Sequence, residues 1–131
     1  MCIRDSYSNE WHVEHLKDPR SLVPESVMPS YAFLADADLD TGLVAAGLKT
    51  NRFVGVPYTD DDIANALADL KAQADPNADT AALLRRYPKT VTGDFDGNPN
   101  RLSEMDALIA YLQMLGALVD FQSYQPADGE R

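Results

Sequence analysis

The residues with the clearest chemical potential surround Met28 in a proline-rich loop that reads VPESVMPSY over residues 23–31. A thioether sulfur is a soft, neutral ligand that binds haem iron, favours its reduced state and raises its reduction potential. Proline on both sides of the methionine would stiffen the loop by fixing φ and by restricting the unfolded chain. The motif makes Met28 a candidate metal ligand, with ordinary packing of its side chain as the alternative.

Two histidines form a second candidate site. His12 and His15 are three residues apart on a predicted helix and could reach one metal ion. Since no cysteine, glutamate or third histidine completes a metal-binding motif with them, the pattern favours a packing role. The neighbouring Trp11 is expected to anchor the core, with contact to a bound cofactor as the alternative. Arg20 could pair with a cofactor carboxylate, with Asp18 or with a neighbouring subunit.

Two aspartate-rich segments invite comparison with metal sites. Residues 94–98 read DFDGN, but an EF-hand register would place Pro99 where glycine is needed and Met105 where the final glutamate is needed. The pattern therefore predicts a plain turn. The aspartates at 60–62 follow Thr59 and are expected to stabilise the start of a helix rather than to bind a metal.

The charge of the chain limits its partners. The 131 residues include 11 Lys and Arg against 21 Asp and Glu, for a formal net charge of −10. Such a balance argues against binding to nucleic acid or to anionic lipid, since both need clustered basic residues. No apolar run approaches the about 20 residues of a transmembrane helix. A single cysteine, Cys2, permits neither an internal disulfide nor a Cys-x-x-Cys-His motif.

Apolar periodicity and capping residues predict an all-α fold. Helices are expected over residues 9–17, 43–54, 60–74, 80–86 and 104–115, with a short apolar helical turn at 31–35. Residues 18–30 contain three prolines and are expected to be irregular or extended throughout. The last helix has the strongest signals, with Ser103 and Asp106 as a capping box. Its apolar stripe consists of Met105, Leu108, Ile109, Leu112 and Leu115.

Several blocks of the sequence, in order, resemble the mono-haem cytochrome c subunit of cbb3-type cytochrome oxidases. The blocks are YSNEWHVEHLKDPR at 7–20, VPES at 23–26 with MPSY at 28–31, GVPYTD at 55–60, and EMDALIAYLQMLG at 104–116. The resemblance spans roughly residues 7–121. Agreement of four blocks in family order is more specific than any one of them.

The resemblance implies a cytochrome c-like domain that transfers electrons through one covalent haem c with His and Met axial ligands. By residue matching, Met28 falls on the axial methionine, and Pro29, Tyr31 and Trp11 are expected to contact the cofactor. The implied partners are the catalytic and di-haem subunits of the oxidase, with a donor cytochrome as a further candidate. The subunit itself is expected to make and break no substrate bonds. The implied location is the bacterial inner membrane, with the domain facing the periplasm.

The resemblance also implies that the domain is truncated at its N-terminal side. The membrane anchor, the haem-linking cysteines and the axial histidine of the family have no counterpart in this sequence. Residues 7–121 are interpreted as the C-terminal portion of the domain, residues 1–6 as a spurious leader and residues 122–131 as a flexible tail. The last helix is then expected to lack part of its packing partner. The alternative function is a haem-free, acidic, all-α protein-interaction module.

Overall fold

The computed structural model describes residues 7–117. Within that range the backbone forms α-helices joined by loops and short 3₁₀ turns, with no strand, so the predicted all-α class is confirmed. The α-helices are α1 (Asn9–Lys17), α2 (Pro19–Leu22), α3 (Val44–Phe53), α4 (Asp60–Ala74), α5 (Ala81–Arg86) and α6 (Glu104–Ala117). The 3₁₀ turns are Ala32–Ala35 and Thr41–Leu43.

Side-chain caps determine where α1 and α4 begin. The hydroxyl of Ser8 accepts a hydrogen bond from the Trp11 N–H at 3.2 Å. At α4, the Asp62 N–H donates to the Thr59 hydroxyl at 3.1 Å, and the Asp62 carboxylate accepts from the Thr59 N–H at 2.8 Å. The predicted capping role of the aspartate segment is therefore confirmed for Asp62, which satisfies N–H groups that a helix start leaves unpaired.

Helix α2 corrects one prediction, because residues 18–30 are not irregular throughout. Pro19–Leu22 forms one helical turn in which Pro19 occupies the first helical position. Proline is tolerated there, since the first N–H of a helix needs no partner and φ is already set near the helical value. The Val23 N–H closes the turn onto the Pro19 carbonyl at 2.9 Å. The expected loop therefore starts only after Leu22.

The main core lies between α1, the first 3₁₀ turn and α6. Its buried members are Leu16, Phe95, Met105 and Ile109, and none is more than 6% exposed. Partly buried apolar side chains pack around them, among them Val13, Met28, Tyr31, Leu34 and Leu108. Ile63 and Ala66 on α4 and Leu83 on α5 are buried outside that cluster, and the two helices are in contact. The core therefore gathers residues from both ends of the described chain under the proline-rich loop.

Helix α6 is better covered than its sequence suggested. The expectation that the apolar stripe has lost part of its partner is wrong for Met105 and Ile109, which are both 0% exposed. Helix α1 supplies part of that cover, together with Phe95 from the loop before α6. Farther along the helix, Tyr111 and Met114 are 53% and 40% exposed. Met105 and Ile109 of the stripe are therefore fully buried, whereas the later part of α6 leaves apolar side chains exposed.

Two predictions concern segments outside the described residues. These are the leader at 1–6 and the tail at 122–131, and the last four residues of the expected 7–121 domain also lie beyond position 117. Among residues 7–117, no helix combines the length and the apolar character needed to cross a bilayer.

Candidate functional site

The loop that contains Met28 connects α2 to the first 3₁₀ turn. We call residues 23–31 the methionine loop. Met28 is partly buried and packs against the core cluster of Leu16, Phe95, Met105 and Ile109. Tyr31, at the end of the loop, packs against the same cluster. The structure thus brings together two of the predicted site residues, Met28 and Tyr31, over one apolar core.

Hydrogen bonds within the methionine loop shape the approach to Met28. The Ser26 N–H donates to the Val23 carbonyl at 2.9 Å, which closes a turn around Pro24. The Met28 N–H then donates to the Ser26 hydroxyl at 3.2 Å. A serine that bonds the backbone two residues ahead is a common local turn device. The loop is therefore ordered by its own polar groups as well as by its prolines.

Three hydrogen bonds tie the methionine loop to the helices before it. The Tyr31 N–H donates to the Leu16 carbonyl at 2.7 Å, and the Ser30 hydroxyl donates to the Lys17 carbonyl at 2.6 Å. On the other side of Met28, the Arg20 Nε–H donates to the Ser26 carbonyl at 3.1 Å. The structure thus shows a partner of Arg20 that the sequence analysis did not consider, the Ser26 carbonyl within the loop itself.

The methionine loop and the turn after it expose large apolar side chains. Val27 is 95% exposed and Phe33, just beyond the loop, is 61% exposed. Pro29 is exposed between the partly buried Met28 and Tyr31. The Tyr31 and Phe33 rings lie 6.2 Å apart at their centroids. This region of the surface therefore leaves two large apolar side chains, Val27 and Phe33, in water.

Trp11 lies in a different setting from the methionine loop residues. Its ring stacks on Tyr7 at a centroid distance of 3.9 Å and on His15 at 4.6 Å, so the three rings form a column along α1. Trp11 is partly buried and does not belong to the buried core, so the prediction of a core anchor is wrong. The Trp11 and His15 rings meet because α-helical spacing puts residues i and i+4 on one face, whereas Tyr7 precedes the helix.

The two histidines take part in the same aromatic packing. His12 meets the edge of Trp11 at 5.4 Å, and His15 stacks on its face. Burial lowers the pKa of His12, and the neighbouring His15 lowers it further. Among the described residues, neither histidine belongs to a group of three metal-ligating side chains. These contacts agree with the packing role that the sequence favoured.

The aspartates at 94 and 96 lie in a turn, as predicted. The Asp94 carboxylate accepts from the Gly97 N–H at 2.9 Å, and Gly97 has a φ of +87° that suits glycine. Sequence reasoning treated Asp106 only as a helix cap, yet its carboxylate also accepts from the Asp96 N–H at 3.0 Å. Oxygen atoms of Asp94, Asp96 and Asp106 consequently lie within 4.8 Å of one another.

Ser103 connects this turn to the start of α6. Its hydroxyl donates to the Asp96 carboxylate at 2.6 Å and accepts from the Asp106 N–H at 3.1 Å. Burial raises the pKa of Asp106, while hydrogen bonds from Ser103 and Asp96 act in the opposite direction. Phe95 lies between Asp94 and Asp96 in the sequence, and the polar network around these aspartates holds it in the core. Met28 packs against the same core. No sequence signal linked residues 94–96 to the helix cap, because the contact depends on tertiary packing.

Comparison with known proteins shows which family this chain belongs to. No curated protein matches this chain. The sequence model of the family described as "Cytochrome C oxidase, mono-heme subunit/FixO" matches residues 2–119, which is most of the chain. That description identifies a subunit of a cytochrome oxidase complex with a role in electron transfer. The all-α fold and the family match together lead to one conclusion: the chain belongs to the FixO family of mono-haem cytochrome c oxidase subunits.

Proposed function

We propose that this chain serves electron transfer through a covalently bound haem c in a membrane-bound terminal oxidase that reduces oxygen. In this proposal Met28 is an axial ligand of the haem iron. The observation that carries the proposal is the setting of Met28, in a loop ordered by hydrogen bonds and seated on the main core. Membership of a mono-haem subunit family supports the same function.

The chemistry of Met28 fits a haem iron. Its thioether is soft and uncharged, so it suits iron that must be stable in the reduced state. Partial burial on the core cluster limits the positions that the side chain can take. A stiff loop is needed because a ligand that moves freely would lose contact with the metal. Pro24 and Pro29 contribute that stiffness on either side.

The exposed apolar surface near Met28 fits an apolar cofactor. Val27 and Phe33 are 95% and 61% exposed, and covering such side chains stabilises a complex by removing apolar surface from water. Pro29 and Tyr31 adjoin the same surface and are proposed to contact the porphyrin. Trp11 is proposed to contact it as well. Excluding water from the iron would be a further influence on its potential.

The remaining haem attachment groups are proposed to come from protein that this sequence does not contain. The single cysteine cannot supply a Cys-x-x-Cys-His motif, and both histidines are engaged with Trp11. Residues 7–121 would form the C-terminal portion of the haem domain, with residues 1–6 and 122–131 outside it. The haem would supply one-electron redox chemistry, so this chain would make and break no substrate bonds.

The proposed setting is the bacterial inner membrane, with the domain on the periplasmic side. Its partners would be the catalytic and di-haem subunits of the oxidase, with a donor cytochrome as a further candidate. Membrane contact would be made through an upstream anchor. Nucleic acid is not among the proposed partners, because a net charge of −10 would repel its phosphates.

Replacing Met28 tests the proposal in the assembled oxidase. Met28→Ala should abolish the sulfur-to-iron charge-transfer absorption of the oxidised subunit and lower its reduction potential, because the only proposed thioether ligand is removed. Met114→Ala is the matched control, since Met114 is a partly exposed methionine on α6. Its absorption spectrum should match that of the unmodified oxidase.

An unchanged charge-transfer absorption in Met28→Ala would refute the ligand assignment. Absence of any haem signal from this subunit in the unmodified oxidase would refute the wider proposal. The haem-free interaction module would then be the better account of the chain.

A further inference from the structure

Two side chains hold the methionine loop to the preceding helices, one on each side of Met28. Upstream, Arg20 on α2 donates its Nε–H to the Ser26 carbonyl at 3.1 Å. Downstream, the Ser30 hydroxyl donates to the Lys17 carbonyl at 2.6 Å and accepts from the Ala32 N–H at 3.3 Å. The loop is therefore tethered two residues before Met28 and two residues after it.

We propose that Arg20 and Ser30 are positioning residues that hold the Met28 sulfur at its metal. This inference rests on the proposed function of Met28 as an axial ligand. It adds a role for two residues that never touch the iron themselves and act through the backbone of the loop.

The two tethers place the loop relative to the neighbouring helices, which the prolines cannot do. Proline restricts local φ angles, but it does not determine where a loop lies relative to a neighbouring helix. Packing gives little help on either side of Met28, because Val27 is 95% exposed and Pro29 is exposed as well. Met28 is thus a partly buried residue between exposed neighbours. Its position depends on its own packing and on the hydrogen bonds that hold the adjoining backbone.

The two tethers differ in chemistry. The Arg20 bond is charge-assisted, because a guanidinium donates to a backbone carbonyl. The Ser30 bond joins neutral groups but is short, and it satisfies a carbonyl in the last turn of α1 that has no partner within the helix. The adjacent bond from the Tyr31 N–H to the Leu16 carbonyl is made by the backbone and survives side-chain substitution. The downstream side of the loop therefore keeps a backbone hydrogen bond to α1 when the Ser30 hydroxyl is removed.

The test measures how readily another ligand displaces the sulfur. Imidazole is titrated into the oxidised, assembled oxidase while the sulfur-to-iron charge-transfer absorption is followed. Imidazole binds only when the sulfur has left the iron, so its apparent dissociation constant falls as the dissociated fraction rises. Losing one hydrogen bond should increase that fraction about three- to tenfold. Arg20→Met and Ser30→Ala should each lower the apparent dissociation constant by that factor.

Conservative variants separate the hydrogen bond from bulk and fold. Arg20→Lys and Ser30→Thr retain a donor and should restore most of the imidazole resistance. Arg85→Met removes an exposed arginine from α5, away from the methionine loop, and should leave the titration unchanged. Thermal unfolding of each oxidase variant is measured in parallel. A purely structural role would lower the unfolding temperature without changing the imidazole titration of the folded complex.

The possible results are distinguishable. If Met28→Ala abolishes the absorption while Arg20→Met and Ser30→Ala titrate like the unmodified oxidase, the positioning role is overturned and the ligand assignment stands. If Met28→Ala leaves the absorption unchanged, the proposed function fails and this inference fails with it. Loss of resistance in Arg20→Met that Arg20→Lys restores, with the corresponding result at Ser30, supports the inference.

Discussion

Replacing Ser103 by alanine should destabilise the chain far more than removing the equivalent cap of α4. Both Ser103 and Thr59 begin a helix in a capping box. Thr59 is exposed, so Thr59→Ala should cost about 1 kcal/mol, the typical value for a helix N-cap. Ser103 is 0% exposed and also donates to the Asp96 carboxylate at 2.6 Å.

The second hydrogen bond sets the magnitude for Ser103. A bond to a charged group contributes about 1.5–3 kcal/mol, and the lower half applies because Asp96 is only partly buried. Added to the cap, this gives a loss of about 2.5–3.3 kcal/mol for Ser103→Ala. A typical domain has a free energy of unfolding of only about 5–15 kcal/mol, so the loss should be easy to measure.

Urea unfolding followed by far-UV circular dichroism measures both variants against the unmodified chain. The midpoint should fall about two and a half to three times as far for Ser103→Ala as for Thr59→Ala, with similar slopes in urea. A double-mutant cycle with Asp96→Ala should give a coupling of about 1 kcal/mol or more between Ser103 and Asp96. Equal losses for the two caps, with no coupling to Asp96, would refute the argument that burial makes the α6 cap the stronger one.

Three further predictions concern stability. Ile109→Ala should lower the free energy of unfolding by about 2–5 kcal/mol, because Ile109 is 0% exposed. Met114→Ala, at a 40% exposed site on the same helix, should lower it much less, and urea unfolding compares the two variants. Gly47→Ala should stabilise α3 by about 0.5–1 kcal/mol, because the helix interior has room for a Cβ, whereas Gly97→Ala should destabilise at a φ of +87°. The melting temperature should rise for Gly47→Ala and fall for Gly97→Ala. The free energy of unfolding of the unmodified chain, taken relative to that of Asp106→Asn, should fall as the pH rises above 3.8.

The sign of the Asp106 effect follows from its raised pKa. The folded chain keeps the Asp106 proton to a higher pH than the unfolded chain, so the stabilisation is fully present below 3.8. It is lost as the pH rises through the folded pKa, where the buried carboxyl must ionise. A difference curve between the two chains that is flat, or that rises with pH, would contradict the assigned burial effect. An offset added to a falling difference curve would not contradict it, because the substitution also alters the helix cap by an amount that does not depend on pH.

Local features of the fold were predictable because they depend on neighbours in sequence. Thr59 and Ser103 start their helices as predicted, since a cap bonds N–H groups two or three residues away. Pro19 was misjudged for a related reason. Proline ends a helix from inside but can begin one, and the choice depended on the preceding Asp18 leaving the helical conformation.

The sequence by itself determined the all-α class, the helix caps, the position of Met28 between prolines, and the family. Tertiary packing alone decided that Met28 sits on a core built from α1, Phe95 and α6, and that the Asp106 carboxylate accepts from the Asp96 N–H. The physical reason is the separation along the chain over which each kind of interaction acts. Caps and apolar periodicity act within a few residues, whereas a core that joins Leu16 to Ile109 depends on which surfaces meet after the chain folds.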